Sequence, residues 1–191
     1  MARNKVHDGA VSPRLDREGW LSRALEVLGK QGAGALTVES LARHLSVTKG
    51  SFYWHFKNRA DFFRQLIEYW DEQFTKTVIT EISGQGGTAE ERLLELMRLV
   101  HTKRLDRFEM PVRAWAQQNP ALAPLVRSVD KHRIGFVRSL FMEMGFDKDE
   151  AEMRTRVFLT YMITQRSLLP TTAGNKQFTD LRRRAAFFTE R

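Results

Sequence analysis

The sequence predicts an all-α fold, for three reasons. Apolar residues recur at helical spacing from residue 17 onward, as Trp20, Ala24 and Leu28 do at i, i+4 and i+8. No stretch shows sustained period-two alternation, which is typical of half-buried strands. Residues that cap helix N-termini stand before the apolar stripes, and glycines follow several of them. We therefore expect about nine helices.

The composition narrows the possible classes of protein. With 42% hydrophobic residues the 191-residue chain can bury a core, and the absence of cysteine excludes disulfides and thiolate chemistry. No apolar run approaches the roughly 20 residues of a membrane span, and the N-terminus lacks the apolar segment of a secretory signal. We therefore expect a cytoplasmic protein with no membrane partner.

Motifs for catalysis or metal binding are missing from the sequence. It contains no G-x-S-x-G, H-E-x-x-H, phosphate-loop or dinucleotide-binding pattern, and its carboxylates stand mostly at predicted helix starts, where capping explains them. The five histidines are scattered, without partners at metal-ligand spacing. We expect no enzymatic activity, no cofactor and no metal site.

The whole chain has a formal net charge of +8. The excess of positive charge is concentrated in its first third. Residues 1–60 hold ten Lys or Arg against five Asp or Glu, whereas residues 61–191 hold 21 against 18. Such a bias attracts an anionic partner, for example a nucleic acid backbone. A surface charge that serves solubility alone is the alternative.

Three helices and the start of a longer one organise the N-terminal third. Residues 1–14 are basic and without periodicity, which predicts a flexible arm, and the first helix covers residues 17–32. Thr37 and Thr48 can each cap a short helix, and Asn58 opens a long apolar-striped helix that can link two bodies. Because almost no linker joins the two short helices, they must cross steeply, as in a helix-turn-helix.

The remainder of the sequence predicts a larger helical body. We divide the chain into a first domain at residues 15–60 and a second at residues 61–191. A capping box formed by Thr88 and Glu91 opens one helix of this body. Asn119-Pro120 predicts the start of another, and two more helices follow.

The second short helix carries an informative outer face. Phe52 and Phe56 stand at i, i+4 and predict a buried face. The opposite face then presents Lys49, Tyr53 and Trp54. Because exposed aromatic side chains are a liability in water, their presence together indicates contact with a partner.

At this point the stretch TVESLARHLSVTKGSFYWHFKNRADFF, residues 37–63, resembles the DNA-binding half of the TetR family of transcriptional regulators. Tyr53, His55 and Phe56 are its most diagnostic residues. Ser46 stands where a glycine is usual, which implies a left-handed residue that costs roughly 1 kcal/mol. The resemblance implies a ligand-responsive repressor that binds a double-stranded, inverted-repeat operator as a homodimer.

The resemblance also implies residue roles at the DNA. The residues implied to contact bases or phosphates are Thr37, Thr48, Lys49, Gly50, Tyr53, Trp54, His55, Lys57 and Arg59. Plain capping is the alternative for both threonines, a structural role for His55, and packing within the chain for Trp54. The basic arm either enters the minor groove or makes no functional contact.

In the family, the last two long helices of each subunit form a four-helix bundle with those of the partner. The apolar stripes of the last two predicted helices are therefore our candidates for the dimer interface, with packing inside one chain as the alternative. These residues are Ala151, Thr155, Phe158, Leu159, Met162, Phe178, Leu181, Ala185 and Phe188.

An effector pocket is expected among the middle helices of the body. Flat or flexible apolar side chains and a few polar anchors are the candidates to line it, with ordinary core packing as the alternative. They are Met97, His101, Phe108, Met110, Trp115, Phe136, Tyr161 and Gln165. Their apolar character favours a small hydrophobic or aromatic effector.

Two competing hypotheses belong to other classes of protein. An enzyme built on the helical body would keep its turnover after loss of residues 1–60. A helical module whose basic face binds an acidic protein or a membrane would tolerate Tyr53→Ala, because its binding would be purely electrostatic.

Overall fold

The computed structural model describes residues 15–168 and 176–190; the predicted arm at residues 1–14 and the side chain of Phe178 lie outside what it describes. Within those ranges the all-α prediction is confirmed. The α-helices are α1 (Arg17–Gln31), α2 (Val38–His44), α3 (Lys49–His55), α4 (Arg59–Asp71), α5 (Thr77–Gly84), α6 (Ala89–Thr102), α7 (Glu109–Gln118), α8 (Ala123–Glu143), α9 (Lys148–Leu168) and α10 (Lys176–Thr189).

Helices α4 and α5 form one long helix, because a π-helical turn at Glu72–Lys76 joins them without a break. Counted in this way, the described residues form nine helices, as predicted. The π-helical turn was not predicted from the sequence. Such turns insert a residue into an α-helix and occur often at functional sites. Here the turn directs Thr75 into the interior, where it is 2% exposed.

An aromatic cluster joins α1, α3 and α4. Trp20 of α1 packs edge-on against Phe52 of α3, with ring centroids 5.6 Å apart. Phe56 and Phe62 pack together at 4.9 Å and extend the cluster to α4. All four rings are at most 1% exposed. Burial of aromatic side chains on this scale makes α1, α3 and α4 one rigid unit.

Two buried clusters support the molecule, and the first crosses the domain boundary that we predicted at residue 60. It continues from the N-terminal helices through α4 to α7 and the first half of α8, for example in the edge-on contact of Phe63 with Trp115 at 4.8 Å. The second cluster joins α5, α6, α9, α10 and the end of α8. The long α4–α5 helix therefore contributes to both.

The stripes predicted to form a dimer interface are covered within one chain. Ala151, Thr155, Phe158, Met162, Leu181, Ala185 and Phe188 are at most 6% exposed, and Leu159 is half-buried. The α9 stripe packs on α8, while Phe158 meets Phe188 of α10 edge-on at 5.2 Å. The alternative of packing inside one chain is therefore the one observed, because a covered side chain offers no surface to a partner.

The helix predicted to begin at Asn119-Pro120 begins later. These two residues lie in a turn, and α8 starts at Ala123 with a proline in its first turn. A 3-10 turn at Leu105–Phe108 and the separate helix α7 precede it. The prediction was wrong because a proline suits a turn as well as the first turn of a helix.

Candidate nucleic-acid interface and body cavity

Helices α2 and α3 are capped as the sequence predicts. Oγ1 of Thr37 accepts a hydrogen bond from the backbone N of Ser40 at 3.1 Å, and Oγ1 of Thr48 accepts one from the backbone N of Ser51 at 3.3 Å. Ser46, in the break between the helices, has a φ of 55°. The left-handed residue implied by the resemblance is therefore present, and it turns the chain sharply enough for α3 to cross α2.

The inner face of α3 fixes which residues face outward. Phe52 is fully buried, and Trp20 donates a hydrogen bond from Nε1 to Oγ of Ser51 at 3.4 Å. On the opposite side, Tyr53 is 61% and Trp54 85% exposed. This exposure excludes the packing alternative for Trp54 within the described residues, and it gives α3 a broad aromatic outer surface.

Lys49 is held by an acidic neighbour from α2. Its Nζ lies 2.8 Å from Oε1 of Glu39, and both side chains are more than half exposed. The hydrogen bond from Lys49, together with its positive charge, lowers the pKa of the Glu39 carboxyl below its ordinary value. The ammonium group therefore stands at the N-terminus of α3 in an ion pair that another anion can replace.

Gly50 lies on the same outer surface with open space above it. A Cβ atom at this position would meet the Thr48 hydroxyl at 3.6 Å, which is an ordinary contact. The fold therefore does not require glycine here. A requirement for glycine would have to come from something that approaches α3 from outside.

Three of the predicted DNA contacts also have partners within the chain. The His55 ring is half-buried, with Nε2 2.9 Å from the carbonyl oxygen of Leu15, so it donates to the backbone that leads into α1. The Arg59 guanidinium lies 4.8 Å from the centre of the Phe63 ring. Lys57 is exposed, and its backbone N donates to Oδ2 of Asp61 at 3.1 Å. The structural alternative for His55 is therefore observed.

A cavity of about 70 Å³ lies in the body, beside the π-helical turn and between α5, α6, α8 and α9. Phe136 is the one predicted effector residue that lines it. Much of the wall is hydrocarbon, with contributions from Phe74, Val78, Val100, Val137 and Met162. Thr75, Asp106, Glu109 and Arg133 add polar groups.

The other predicted effector residues lie elsewhere. Met97 and Phe108 are core residues of α6 and the 3-10 turn, and Met110 is 45% exposed. Trp115 packs on Phe63 in an open cleft beside α7. The last three, His101, Tyr161 and Gln165, are half-buried and line no part of the cavity. The Tyr161 hydroxyl accepts a hydrogen bond from Arg184, and Gln165 donates one to the sulfur of Met162.

The polar part of the cavity wall is an ion-pair network. Arg133 donates from Nη1 to Glu109 at 2.7 Å and from Nε to Oγ1 of Thr75 at 2.9 Å. Arg166 donates from Nε to both carboxylate oxygens of Asp106 at 2.9 Å. Sequence reasoning missed these residues, because charges dispersed along the chain carry no signal that they will meet in the interior.

Arg113 extends the network toward α8. It donates to Asp130 at 2.6 Å and to Glu109 at 3.3 Å. Burial by itself would lower the pKa of Arg113, but the hydrogen bond to Asp130 and the charges of Glu109 and Asp130 outweigh it and raise that pKa. The guanidinium is therefore a permanent cation at the junction of α7 and α8.

Within the described residues, no helix is long and apolar enough to cross a membrane. In the same part of the chain, no three histidine or acidic side chains lie together as a metal site would require. The fold and its outer surface together define an all-helical protein with an exposed helix-turn-helix.

Comparison with known proteins finds a family model that matches the N-terminal part of the chain. Residues 21–66 match the model of the "Bacterial regulatory proteins, tetR family". The transcriptional regulator AcuR of Cereibacter sphaeroides is 35% identical over 68 residues, which are 36% of this chain and 31% of that regulator. The match thus spans about a third of this chain and about a third of the relative's own length.

Two solved structures share the fold at low sequence identity. AibR, in complex with isovaleryl coenzyme A and operator DNA, has a TM-score of 0.69 at 16% identity and covers 90% of this chain and 97% of its own. FadR of Bacillus subtilis, in complex with stearoyl-CoA, has a TM-score of 0.62 at 20% identity and covers 90% and 94%. Residues 21–66 therefore carry the domain of the TetR family of bacterial regulatory proteins, and the curated relative AcuR is a transcriptional regulator.

Proposed function

We propose that this protein is a DNA-binding transcriptional repressor that acts in the cytoplasm as a homodimer on an inverted-repeat operator. The observation that carries the proposal is the outer face of α3, where exposed Lys49, Gly50, Tyr53 and Trp54 stand on a rigidly packed helix-turn-helix. A rigid helix with polar and aromatic side chains suits insertion into a major groove. The family match of residues 21–66 supports the same role.

Each residue of this face has a distinct task in the proposal. Lys49 contacts a phosphate or a base edge, and Thr37 and Thr48 present the N-termini of α2 and α3 to the DNA backbone. Tyr53 and Trp54 pack on sugar or thymine methyl groups. Lys57 adds a phosphate contact, whereas His55 keeps α1 in register with α3.

Gly50→Ala provides a sharp test of DNA binding, because the fold accepts a Cβ atom at this position and α-helices favour alanine. We expect unchanged or higher thermal stability and at least tenfold weaker binding to an operator selected from a random DNA pool. Lys49→Ala should lower the slope of log affinity against log salt by about 1. Lys148→Ala, which removes an exposed charge from α9, is the matched control for Lys49→Ala. Equal binding by the Gly50 variant and the parent protein would contradict a close approach of DNA.

Dimerisation is proposed through the outer flank of α9 and α10, not through the buried stripes. Met153 and Val157 of α9 are 62% and 51% exposed, and Phe187 of α10 is 74% exposed. They flank the seam where Arg184 donates to Tyr161. A second copy of the chain is the proposed partner, because exposed apolar groups on paired terminal helices suit a four-helix bundle.

The test of this interface is the oligomeric state in solution. Val157→Glu and Phe187→Glu should convert a dimer to a monomer in light scattering coupled to gel filtration. Met142→Glu, on the exposed side of α8, is the control and should leave the dimer intact. A parent protein that is monomeric at micromolar concentration would overturn the proposed assembly.

A ligand in the body cavity is proposed to switch DNA binding. The cavity adjoins the π-helical turn in the middle of the α4–α5 helix, and α4 begins beside the proposed DNA contacts. A ligand that favours one position of this helix changes the separation of the two α3 helices in the dimer and therefore the affinity for DNA.

A further inference from the structure

The charges that line the body cavity are already paired with one another. Glu109 accepts hydrogen bonds from Arg133 at 2.7 Å and from Arg113 at 3.3 Å. Asp106 accepts from Arg166 through both of its oxygens. Since Glu109 and Asp106 are 4% and 8% exposed, water does little to screen these pairs.

An ionic ligand would have to disrupt this arrangement. A carboxylate would compete with Glu109 for Arg133 and leave a buried acid without its partner. An ammonium group would compete with Arg133 and Arg166 for the two acids. Removing one partner from a buried ion pair is strongly unfavourable, because the remaining charge stays desolvated. The wall therefore discriminates against both kinds of ion.

An uncharged donor meets no such obstacle. A carboxylate has about four lone-pair directions, so Glu109 and Asp106 retain acceptor capacity beyond the bonds that their arginines provide. A ligand hydroxyl can use this capacity without displacing an arginine. The surrounding hydrocarbon of Phe74, Val100 and Phe136 would take up an apolar tail.

The size of the cavity limits the ligand further. A volume of about 70 Å³ is roughly half that of an engineered cavity of about 150 Å³ that binds benzene. Since benzene has six non-hydrogen atoms, a short molecule of a few non-hydrogen atoms suits this cavity without large movements of the wall. A coenzyme A thioester is both far larger than this cavity and polyanionic.

We infer that the effector of this protein is a small uncharged amphiphile, an aliphatic alcohol or a molecule of the same chemistry, whose hydroxyl donates to Asp106 or Glu109. This inference rests on the proposed function, since it names the ligand class of the switch. It narrows the expectation of a hydrophobic or aromatic effector to a neutral and short molecule.

The test compares three probes with the same four-carbon chain: 1-butanol, butyrate and butylammonium at pH 7. Full-length protein with 13C-labelled methionine methyl groups reports binding at the cavity through Met162, while exposed Met142 serves as an internal reference. We expect 1-butanol to shift the Met162 signal with an affinity at least tenfold higher than that of either ion. Tighter or equal binding of an ionic probe, or of isovaleryl coenzyme A, would overturn the inference.

Val100→Phe supplies the variant control, because the added ring fills the cavity from α6. It should weaken the 1-butanol response at least tenfold, whereas Met142→Phe, whose spectrum lacks only the reference signal, should not. If Val100→Phe does not fold, Ile79→Phe fills the same cavity from α5. A full response in a folded, cavity-filled variant would show that the alcohol binds elsewhere and would also overturn the inference.

Operator binding is measured separately, with and without 1-butanol. Loss of DNA binding in all conditions would contradict the proposed function while the Met162 titration still tests the ligand class. Binding of 1-butanol at Met162 without any change in operator affinity would reject the switch and support the site.

Discussion

Nε of Arg133 on α8 donates a 2.9 Å hydrogen bond to Oγ1 of Thr75 in the π-helical turn. The same guanidinium lies 4.8 Å from the centre of the Trp70 ring at the end of α4. Arg133 therefore fixes the long α4–α5 helix to the body at its middle. The relationship also connects the cavity wall to the helix that carries the proposed DNA-binding unit, because Thr75 and Arg133 both line the cavity.

Replacing Thr75 with valine should destabilise the protein. Threonine and valine side chains have nearly the same shape, but valine offers no acceptor to the Nε–H group of Arg133. The Arg133 side chain is only 13% exposed. An unpaired buried donor costs about 1–3 kcal/mol in the free energy of unfolding. Urea denaturation measures the difference. Thr77→Val, on an exposed position of α5, is the control, and equal losses in both variants would contradict a specific role for the hydrogen bond.

Ser46→Gly should stabilise the helix-turn-helix. The φ of 55° at Ser46 strains any residue with a Cβ atom, and glycine adopts it freely. Because glycine also gains freedom in the unfolded chain, the net increase in the free energy of unfolding is about 0.5–1 kcal/mol. Chemical denaturation checks this value. Ser46→Ala retains the strain and should bring no gain; an equal gain in both variants would refute the explanation.

Asp61 should make stability depend on acidic pH. Its carboxylate accepts from the backbone N of Lys57 at 3.1 Å and from Arg64 at 2.7 Å. These bonds lower the pKa of Asp61 below its ordinary value. The hydrogen bond from the Lys57 backbone contributes most, followed by those from the side chains of Arg64 and Gln65. The folded state binds the proton less readily than the unfolded state. The stabilisation is therefore complete above the unfolded pKa of about 3.9 and disappears as the pH falls through the lowered folded pKa.

The measurement is a series of urea titrations from pH 7 to pH 2 on the parent protein and Asp61→Asn. The variant keeps a side-chain oxygen for Lys57 but lacks the charge. We expect the parent protein to be more stable at neutral pH and the two curves to converge in strong acid. A constant difference across the series would show that the carboxylate charge has no part in it.

The helix-turn-helix was predictable because its signals are local. Thr37 and Thr48 cap helices that start one residue later, and Phe52 with Phe56 marks a buried face within a single turn of helix. Short-range hydrogen bonds and side-chain periodicity largely determine such structure. The exposed face then follows as the opposite side of α3, although the sequence could not place the His55 ring against Leu15, 40 residues away.

The cavity was not predictable because its wall is assembled from distant segments. Thr75 owes its orientation to a π-helical turn, and Glu109 and Arg133 stand 24 residues apart on different helices. Periodicity marked Phe158 and Leu181 correctly as apolar faces, but it did not tell whether a partner or the same chain covers them. Long-range packing settles that choice, and a single sequence does not encode it in any local pattern.

Glu39→Gln should strengthen the proposed binding to DNA. In the free protein Lys49 pairs with Glu39 at 2.8 Å. A phosphate that binds Lys49 would have to replace the Glu39 carboxylate. That carboxylate would then lie close to the DNA phosphates and be repelled by them. An exposed ion pair is worth up to about 1 kcal/mol, so its removal should raise the operator affinity by up to about fivefold. Fluorescence anisotropy at several salt concentrations measures the change, which should shrink as salt screens the charges. Glu90→Gln, an equally acidic and exposed position in the first turn of α6, is the control. Weaker operator binding by the Glu39 variant would instead mean that Glu39 positions Lys49 for its contact, and the competition proposed between carboxylate and phosphate would be rejected.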